Sequence, residues 1–505
     1  MSRLTRNISA NVVANAWSTM LALVLTPVYL RLLGVESYGL IGFYLSWTAI
    51  LGVLDTGISA TATREIAWLM ARPGEADTVP SLVRSLEVSY WAIILTLGVA
   101  LFIAVALVGP VWFHDTAIPP ATISTALLLM VVSLVVQVPS GLYIAGLVGL
   151  QRQVEGSALV ALFGTVRGAG AVLALWAVQP DIRVFFAWQI AASALQTGVM
   201  RATLVRAVRV EGHPARFSLP LLRSVRRFAG GMSVVTALGL VLGQMDKMVL
   251  APLVSLQAFG LYMVASTVAS GLSRVAGPFL QAFGPRFTEL VSLGDSTELV
   301  RHVRIASQLT YAILLPPAAM LVFLSNAILF AWTGDVAVAD GAAPLLAILT
   351  VGTLLTACSY PALSMLYSAG RTRPVIAVNV AVVAVMLPVL LLAVSRYGAV
   401  GAASCWLACG FSLYAAYSVL GLSGLPGGLL LATFRDFAYT TLAAAVVAVL
   451  TWQLSMHVHG RIQMVGLVGA GLVTGWIAAA AVCQDIMKLF VNTLKWNSIV
   501  SRWSA

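Results

Sequence analysis

An all-α fold, a polytopic membrane protein of about fourteen transmembrane helices, is what this sequence predicts. Three observations carry the prediction. Of 505 residues, 60% are apolar and only 9% are charged, whereas a soluble domain is roughly a quarter charged. Leu, Val and Ala recur in blocks of about 20 residues, the length that crosses ~30 Å of hydrocarbon at 1.5 Å per residue; a transmembrane β-barrel would show ~10-residue alternating segments instead. Third, the basic residues fall in alternate loops.

The first apolar run, 12–33, follows the basic start MSRLTRN. It is too long for a signal-peptide core and no small-residue cleavage site follows it, so it reads as a retained span. Spans two to seven are expected at 40–58, 88–110, 122–148, 158–178, 184–205 and 229–250. Spans eight to fourteen follow at 257–283, 306–330, 342–369, 374–393, 399–420, 437–456 and 462–482. The shortest gaps, 34–39 and 395–398, leave little room for a loop. Pro27, Pro139, Pro278, Pro316, Pro317, Pro361 and Pro388 lie inside spans. Each removes a backbone hydrogen bond and permits a kink. Cys358, Cys405, Cys409 and Cys483 lie within spans or at their ends, and Cys405 and Cys409, which share a helix face, have no His or acid nearby. They read as small packing residues, and no metal site is expected.

The net charge of +11 is an orientation signal rather than a nucleic-acid signal. With the N-terminus in the cytoplasm, inside segments hold 22 of the 29 Lys and Arg, and outside segments hold Arg31, Arg183, Arg396 and Arg461. This bias places both termini in the cytoplasm. The richest inside loop, Arg201 to Phe228, carries seven Arg against one Glu. Ser218 is positioned to cap a short helix in it, mixing Leu219, Leu221 and Leu222 with Arg223, Arg226 and Arg227, suited to an anionic membrane surface. The tail after Val482 has a similar mixture and reads as a second interfacial helix. Outside loops are short, so no enzymatic domain fits there. Asp335 and Asp340 read as surface acids, and His457 and His459 as ordinary loop residues.

A weak repeat organises the chain. LRLLGVESYGLIGFY from Leu30 returns in outline as LAPLVSLQAFGLYMV from Leu250, and Arg64 and Arg286 fall at equivalent places. The offset spans six helices, an even number, so the halves are parallel. Parallel halves around a central cavity are a transporter architecture that permits alternating access. The division is 1–206 for the first six-helix half, 207–227 for the basic cytoplasmic linker and 228–420 for the second six-helix half. Residues 421–505 supply two additional helices and a cytoplasmic tail.

Five charges fall within spans: Asp55, Arg167, Asp246, Lys247 and Arg274. Adjacent helical residues point about 100° apart, so Asp246 and Lys247 are not expected to face each other squarely. Helical rise puts Arg274 about 27 Å from the outer end of its span, Arg167 about 15 Å into its own and Lys247 about 27 Å from the inner end. Facing one cavity, the three bases would form a cationic ladder that attracts an anion, with Arg binding phosphate oxygens through its fork. The opposing reading pairs Asp246 with an Arg on a neighbouring helix and Asp55 with Arg64. Asn11, Asn15, Gln137, Gln189, Gln196, Gln244 and Asn379 are polar residues that could line the same path or bond helix to helix.

Two stretches resemble a known family. Residues Thr26 to Ala67, TPVYLRLLGVESYGLIGFYLSWTAILGVLDTGISATATREIA, resemble the opening of Wzx-type polysaccharide (O-antigen) flippases of the multidrug/oligosaccharidyl-lipid/polysaccharide exporter superfamily. QMDKMVLAPLVSLQAFGLYMVAS, Gln244 to Ser266, resembles the D-[KR] and FG-x-Y pattern of their seventh helix. The resemblance extends over essentially the whole chain. It implies a bacterial inner-membrane flippase, not an enzyme, that moves undecaprenyl-diphosphate-linked oligosaccharide from the cytoplasmic to the periplasmic leaflet for lipopolysaccharide or exopolysaccharide synthesis. The substrate's sugar and pyrophosphate would pass through a cationic lumen of Arg274, Arg167 and Lys247, with its tail left in lipid. Arg274 matches the family's eighth-helix arginine, and Asp55 and Arg64 match its D-x-G and R-x-I-A positions. Asp246 and Asp55 are the acids available to a coupling proton or sodium ion, and no other cofactor is implied. Polysaccharide polymerase and chain-length proteins are the further partners implied. The chain departs from lipid II flippases, whose first helix carries SR-x-LG-x-x-RD where this one has Asn11 and Asn15. Surplus buried bases argue against the remaining alternative, a cation-coupled multidrug or metabolite antiporter.

Overall fold

A computed structural model describes residues 3–72, 74–113, 116–209, 215–426, 428–458 and 460–483, with side chains described except at 3–12, 53–56, 108, 110–111, 224–237 and 278–282. Among the described residues every regular element is a helix. In chain order these are α1 (Arg3–Met70), α2 (Val79–Trp112), α3 (Pro120–Gln137), α4 (Ser140–Gly149), α5 (Gln153–Ala177), α6 (Ile182–Ala207), α7 (Leu219–Leu250) and α8 (Leu256–Leu293). Then follow α9 (Ser296–Phe323), α10 (Ser325–Thr333), α11 (Val336–Cys358), α12 (Tyr360–Ser368), α13 (Thr372–Leu422), α14 (Leu429–Ser455) and α15 (Arg461–Val482). Nine described segments are long and apolar enough to cross a membrane.

The two shortest gaps in the hydropathy pattern turn out to be single-glycine turns inside continuous helical runs. Gly34 interrupts α1 with φ 79° and Gly398 interrupts α13 with φ 55°, a region glycine enters without a Cβ penalty. Each turn reverses the chain. Thr26 Oγ1 lies 3.2 Å from the Tyr38 hydroxyl, whereas twelve residues of straight helix would separate them by about 18 Å. Across Gly398, a Cβ on Gly401 would overlap the Ala393 carbonyl oxygen.

Prolines act unequally. The fourth expected span breaks at Pro139 into α3 and α4, and the tenth breaks before Pro361 into α11 and α12. Pro27 and Pro388 sit within α1 and α13, and Pro316 and Pro317 within α9, with no break in the helix. The basic segment at 219–228 is not a separate surface helix. It is continuous with the seventh span, giving one 32-residue helix. Ser218 holds the N-cap position, but its side chain makes no cap bond; its N–H donates to Ser85 Oγ at 2.8 Å.

The chain forms two compact units, Met1–Gly260 and Leu261–Ala505. In the first, α1 packs on α4, α5 and α7, and α6 packs on α3, α4 and α5. The sequence repeat groups α7 with the helices that follow it, whereas packing groups it with α1. In the second unit, α11 packs on α13 and α9, and α14 packs on α9 and α15. Leu272 and Ala276 of α8, Tyr311 and Leu314 of α9, Leu354 of α11, Tyr414 of α13 and Ala444 of α14 share one buried core. The helix pair α14–α15 is thus built onto α9 rather than left peripheral. Trp176, Leu431 and Ile462 are 76–89% exposed, an arrangement suited to a hydrocarbon solvent.

Candidate functional site

Arg167 stands near the middle of α5. Its Nε is buried with no hydrogen-bond partner. The Tyr29 and Tyr44 hydroxyls lie within electrostatic reach of the guanidinium. Among the described residues no carboxylate forms an ion pair with it.

Around this arginine the first unit has a polar interior. Gln189, Ser193 and Gln196 of α6 are buried, and their spacing of four and three residues puts them on one helix face. Tyr44 bridges the polar side chains of α3: its hydroxyl donates to Gln137 Oε1 and lies 3.0 Å from Ser133 Oγ. Ser193 Oγ and Gln196 Oε1 have no protein partner. Such atoms are costly in hydrocarbon unless water or a ligand meets them. This interior therefore suits hydrated or ligand-bearing contents.

Asp246 and Lys247 meet directly, contrary to the expectation from helix geometry. Lys247 Nζ lies 3.0 and 3.1 Å from the two Asp246 carboxylate oxygens, and it also donates to the Gly243 carbonyl at 3.3 Å. The 100° separation applies to the Cβ directions. A four-carbon lysine stem is long enough to fold back across it. The side chains are only 4% and 12% exposed, respectively, so the pair is buried. Lys247 is therefore not an uncompensated rung of a cationic ladder. Gln244, one turn earlier on α7, keeps its Oε1 buried without a partner.

Arg274 belongs to α8 in the second unit and is exposed on that unit. Arg64 is exposed and pairs with its neighbour Glu65 at 3.1 Å. The side chains of Asp55 and Asn11 lie outside the described residues, and Asn15 is exposed. Asn379, buried on α13, accepts a hydrogen bond from Tyr417. Asp335 is a helix cap, accepting from Val338 N at 3.1 Å, and Asp340 accepts from Asn326 at 2.6 Å. All four cysteines are buried and unoxidised. His457 is exposed; His459 and the tail from 484 lie outside the described residues.

Two ionic centres, one buried and one half-buried, were not singled out from sequence. In the first unit Glu87 of α2 is 3% exposed. It accepts from Arg84 at 2.8 Å, from the Tyr143 hydroxyl of α4 at 2.9 Å and from Arg201 of α6. In the second unit Asp436 of α14 accepts from Arg304 at 3.0 Å and Gln308 at 2.7 Å, both on α9. An acid one helical turn from a base near a span's inner end was the available signal for Glu87. Nothing local marked the pairing of residues 304 and 436.

An apolar groove of about 630 Å³ runs between α14 and α15, lined by Tyr439, Leu442, Val446, Ala478 and Val482 among others.

A family model described as "Polysaccharide biosynthesis protein" matches residues 4–291. The chain is 24% identical over 348 residues to "Uncharacterized membrane protein EpsK" of Bacillus subtilis (strain 168), a match covering 66% of each, just under two thirds of that protein's length. Its fold is similar to that of "Lipid II flippase MurJ, inward closed conformation", with 15% identity, a TM-score of 0.72, and coverage of 94% of this chain and 99% of that one. An inward-facing multidrug resistance MATE family transporter of the MOP superfamily is also similar, at 13% identity and TM-score 0.65, over 84% and 99% of the two chains. These likenesses show a fold held in common with multi-pass membrane transporters.

Proposed function

The chain belongs to the polysaccharide biosynthesis protein family, and from that membership we propose that it is a flippase for a lipid-linked oligosaccharide. The cargo is a repeat unit of O-antigen or exopolysaccharide on undecaprenyl diphosphate. It moves from the cytoplasmic to the periplasmic leaflet of a bacterial inner membrane by alternating access, and no covalent step is needed.

The observation that carries this reading is Arg167. A guanidinium at mid-membrane height, with a buried donor that lacks an acceptor, is poorly placed for a cationic cargo and well placed for an oxyanion. A diphosphate supplies oxygens in the arrangement a planar guanidinium binds best. The neutral side chains of the polar interior suit sugar hydroxyls. Arg274 is the second arginine of the proposed path. Lys247 enters this path as the partner of Asp246. A coupling proton or sodium ion would use Asp55 or Asp246, and at Asp246 it would have to displace the Lys247 ammonium. The proposed topology has both termini in the cytoplasm, and the proposed protein partners are the polymerase and chain-length proteins that consume the flipped unit.

Chromosomal Arg167→Ala and Arg274→Ala variants test the reading. Each is expected to lower surface polysaccharide about tenfold or more, as loss of a charge-assisted contact would, at normal protein level by immunoblot. Undiminished polysaccharide in both would remove the cationic path.

A further inference from the structure

We propose that Tyr29 and Trp188 are positioning residues for Arg167, an assignment that rests on the diphosphate-binding role given to that arginine above. Three successive carbonyls of α5 accept side-chain hydrogen bonds from neighbouring helices. Trp188 Nε1 donates to the Val166 carbonyl at 3.1 Å, Gln189 Nε2 to the Arg167 carbonyl at 3.4 Å, and the Tyr29 hydroxyl to the Gly168 carbonyl at 2.9 Å. A carbonyl inside a helix already accepts from the N–H four residues on. These are therefore second bonds, and α5 does not need them in order to be satisfied. What they fix is the rotation and height of the turn that carries Arg167.

The local sequence is shaped for this grip. A Cβ on Gly170 would overlap the Trp188 indole, and one on Gly168 would overlap the Leu25 side chain. The two glycines thus let α6 and α1 approach the α5 backbone on either side of the arginine's turn. The donors are themselves held. Tyr29 is 8% exposed, and its ring meets Phe185 edge-on at 5.4 Å. A guanidinium presented from a clamped turn meets its ligand with less ordering still to be done, which favours binding.

The test uses the full-length protein in nanodiscs, with inorganic pyrophosphate as the probe, titrated by calorimetry into the millimolar range so that weak variants stay measurable. The proteins are wild type, Tyr29→Phe, Trp188→Phe, Arg167→Met and each Phe variant combined with Arg167→Met, with a thermal unfolding midpoint for every one. Each Phe variant is expected to bind about fivefold more weakly, with a midpoint lowered by no more than the loss of one hydrogen bond brings. In transport, the same variants are expected to raise the half-saturating substrate concentration while leaving the maximal rate in place. Combined with Arg167→Met, they are expected to add no further loss, because their effect passes through the arginine. Wild-type affinity in both Phe variants overturns the assignment. So does an additive loss in the Arg167→Met background, or a collapse of the fold, which would show that the donors serve the bundle. Undiminished binding by Arg167→Met itself marks the separate failure of the diphosphate role, and the assignment falls with it.

Discussion

Asp246 and Lys247 are adjacent, mutually bonded and nearly buried, and this sets what each contributes. Removing one charge breaks an ion pair in a low-dielectric interior, at a cost of about 3–5 kcal/mol. Lys247→Met is therefore expected to lower the unfolding midpoint in detergent sharply. The double variant Asp246→Leu with Lys247→Met is expected to recover most of the loss. A double variant as unstable as the single one would show that the pair bonds to something the exchange also destroys. At this scale the sequence was legible in residue type but not in partnership. That charges lie within spans follows from counting. That Lys247 folds back onto Asp246, or that Arg304 finds Asp436 across 132 positions, depends on rotamers and helix packing that no local pattern records. Arg167 is the reverse case. Its excess over the available acids was readable, and the structure adds the unmet Nε donor.

Helix α1 shows what a single position decides at the level of elements. Its two apolar stretches are joined through Gly34 at φ 79° with no other atom within 4 Å of a Cβ placed there. Space is open, so a substitution is penalised by backbone conformation alone, about 1–3 kcal/mol, because φ 79° with ψ 171° is a region that essentially only glycine occupies. Gly34→Ala is thus expected to lower stability by that amount without disturbing packing. A larger loss, measured by thermal unfolding, would mean that the tight turn depends on more than glycine's φ. Hydropathy located this turn because period and length are properties of composition. It did not show that the turn consumes a single residue, since a non-helical φ at one glycine leaves the apolar run almost intact. Proline was an incomplete guide for a related reason. A membrane helix can bridge a lost backbone bond with neighbouring groups, so Pro139 and Pro361 coincide with breaks while Pro27, Pro316 and Pro388 do not.

For the molecule as a whole, the basic bias and the even number of expected spans lead to one topology. A tag at either terminus is expected to react with impermeant reagents only after the inner membrane is opened. Periplasmic labelling of the C-terminal tag would make the number of crossings odd. Class of fold was legible because lipid imposes it on composition; orientation is what the distribution of Lys and Arg leads one to expect, and the tags test it. The grouping of α7 with α1 was not legible, because contacts between helices follow packing surfaces rather than sequence equivalence.

Reconstituted translocation tests the central claim most directly: a guanidinium held inside the membrane by α5 serves the diphosphate of a lipid-linked glycan. Proteoliposomes with equal amounts of wild-type or Arg167→Ala protein, given undecaprenyl-diphosphate-linked oligosaccharide in one leaflet, are scored by enzymatic access to the sugar in the other. The expected result is flipping by wild type and a loss of about tenfold or more in the variant, as removal of a charge-assisted contact would give. Equal rates for the two proteins, or no flipping of this substrate by wild type, would contradict it.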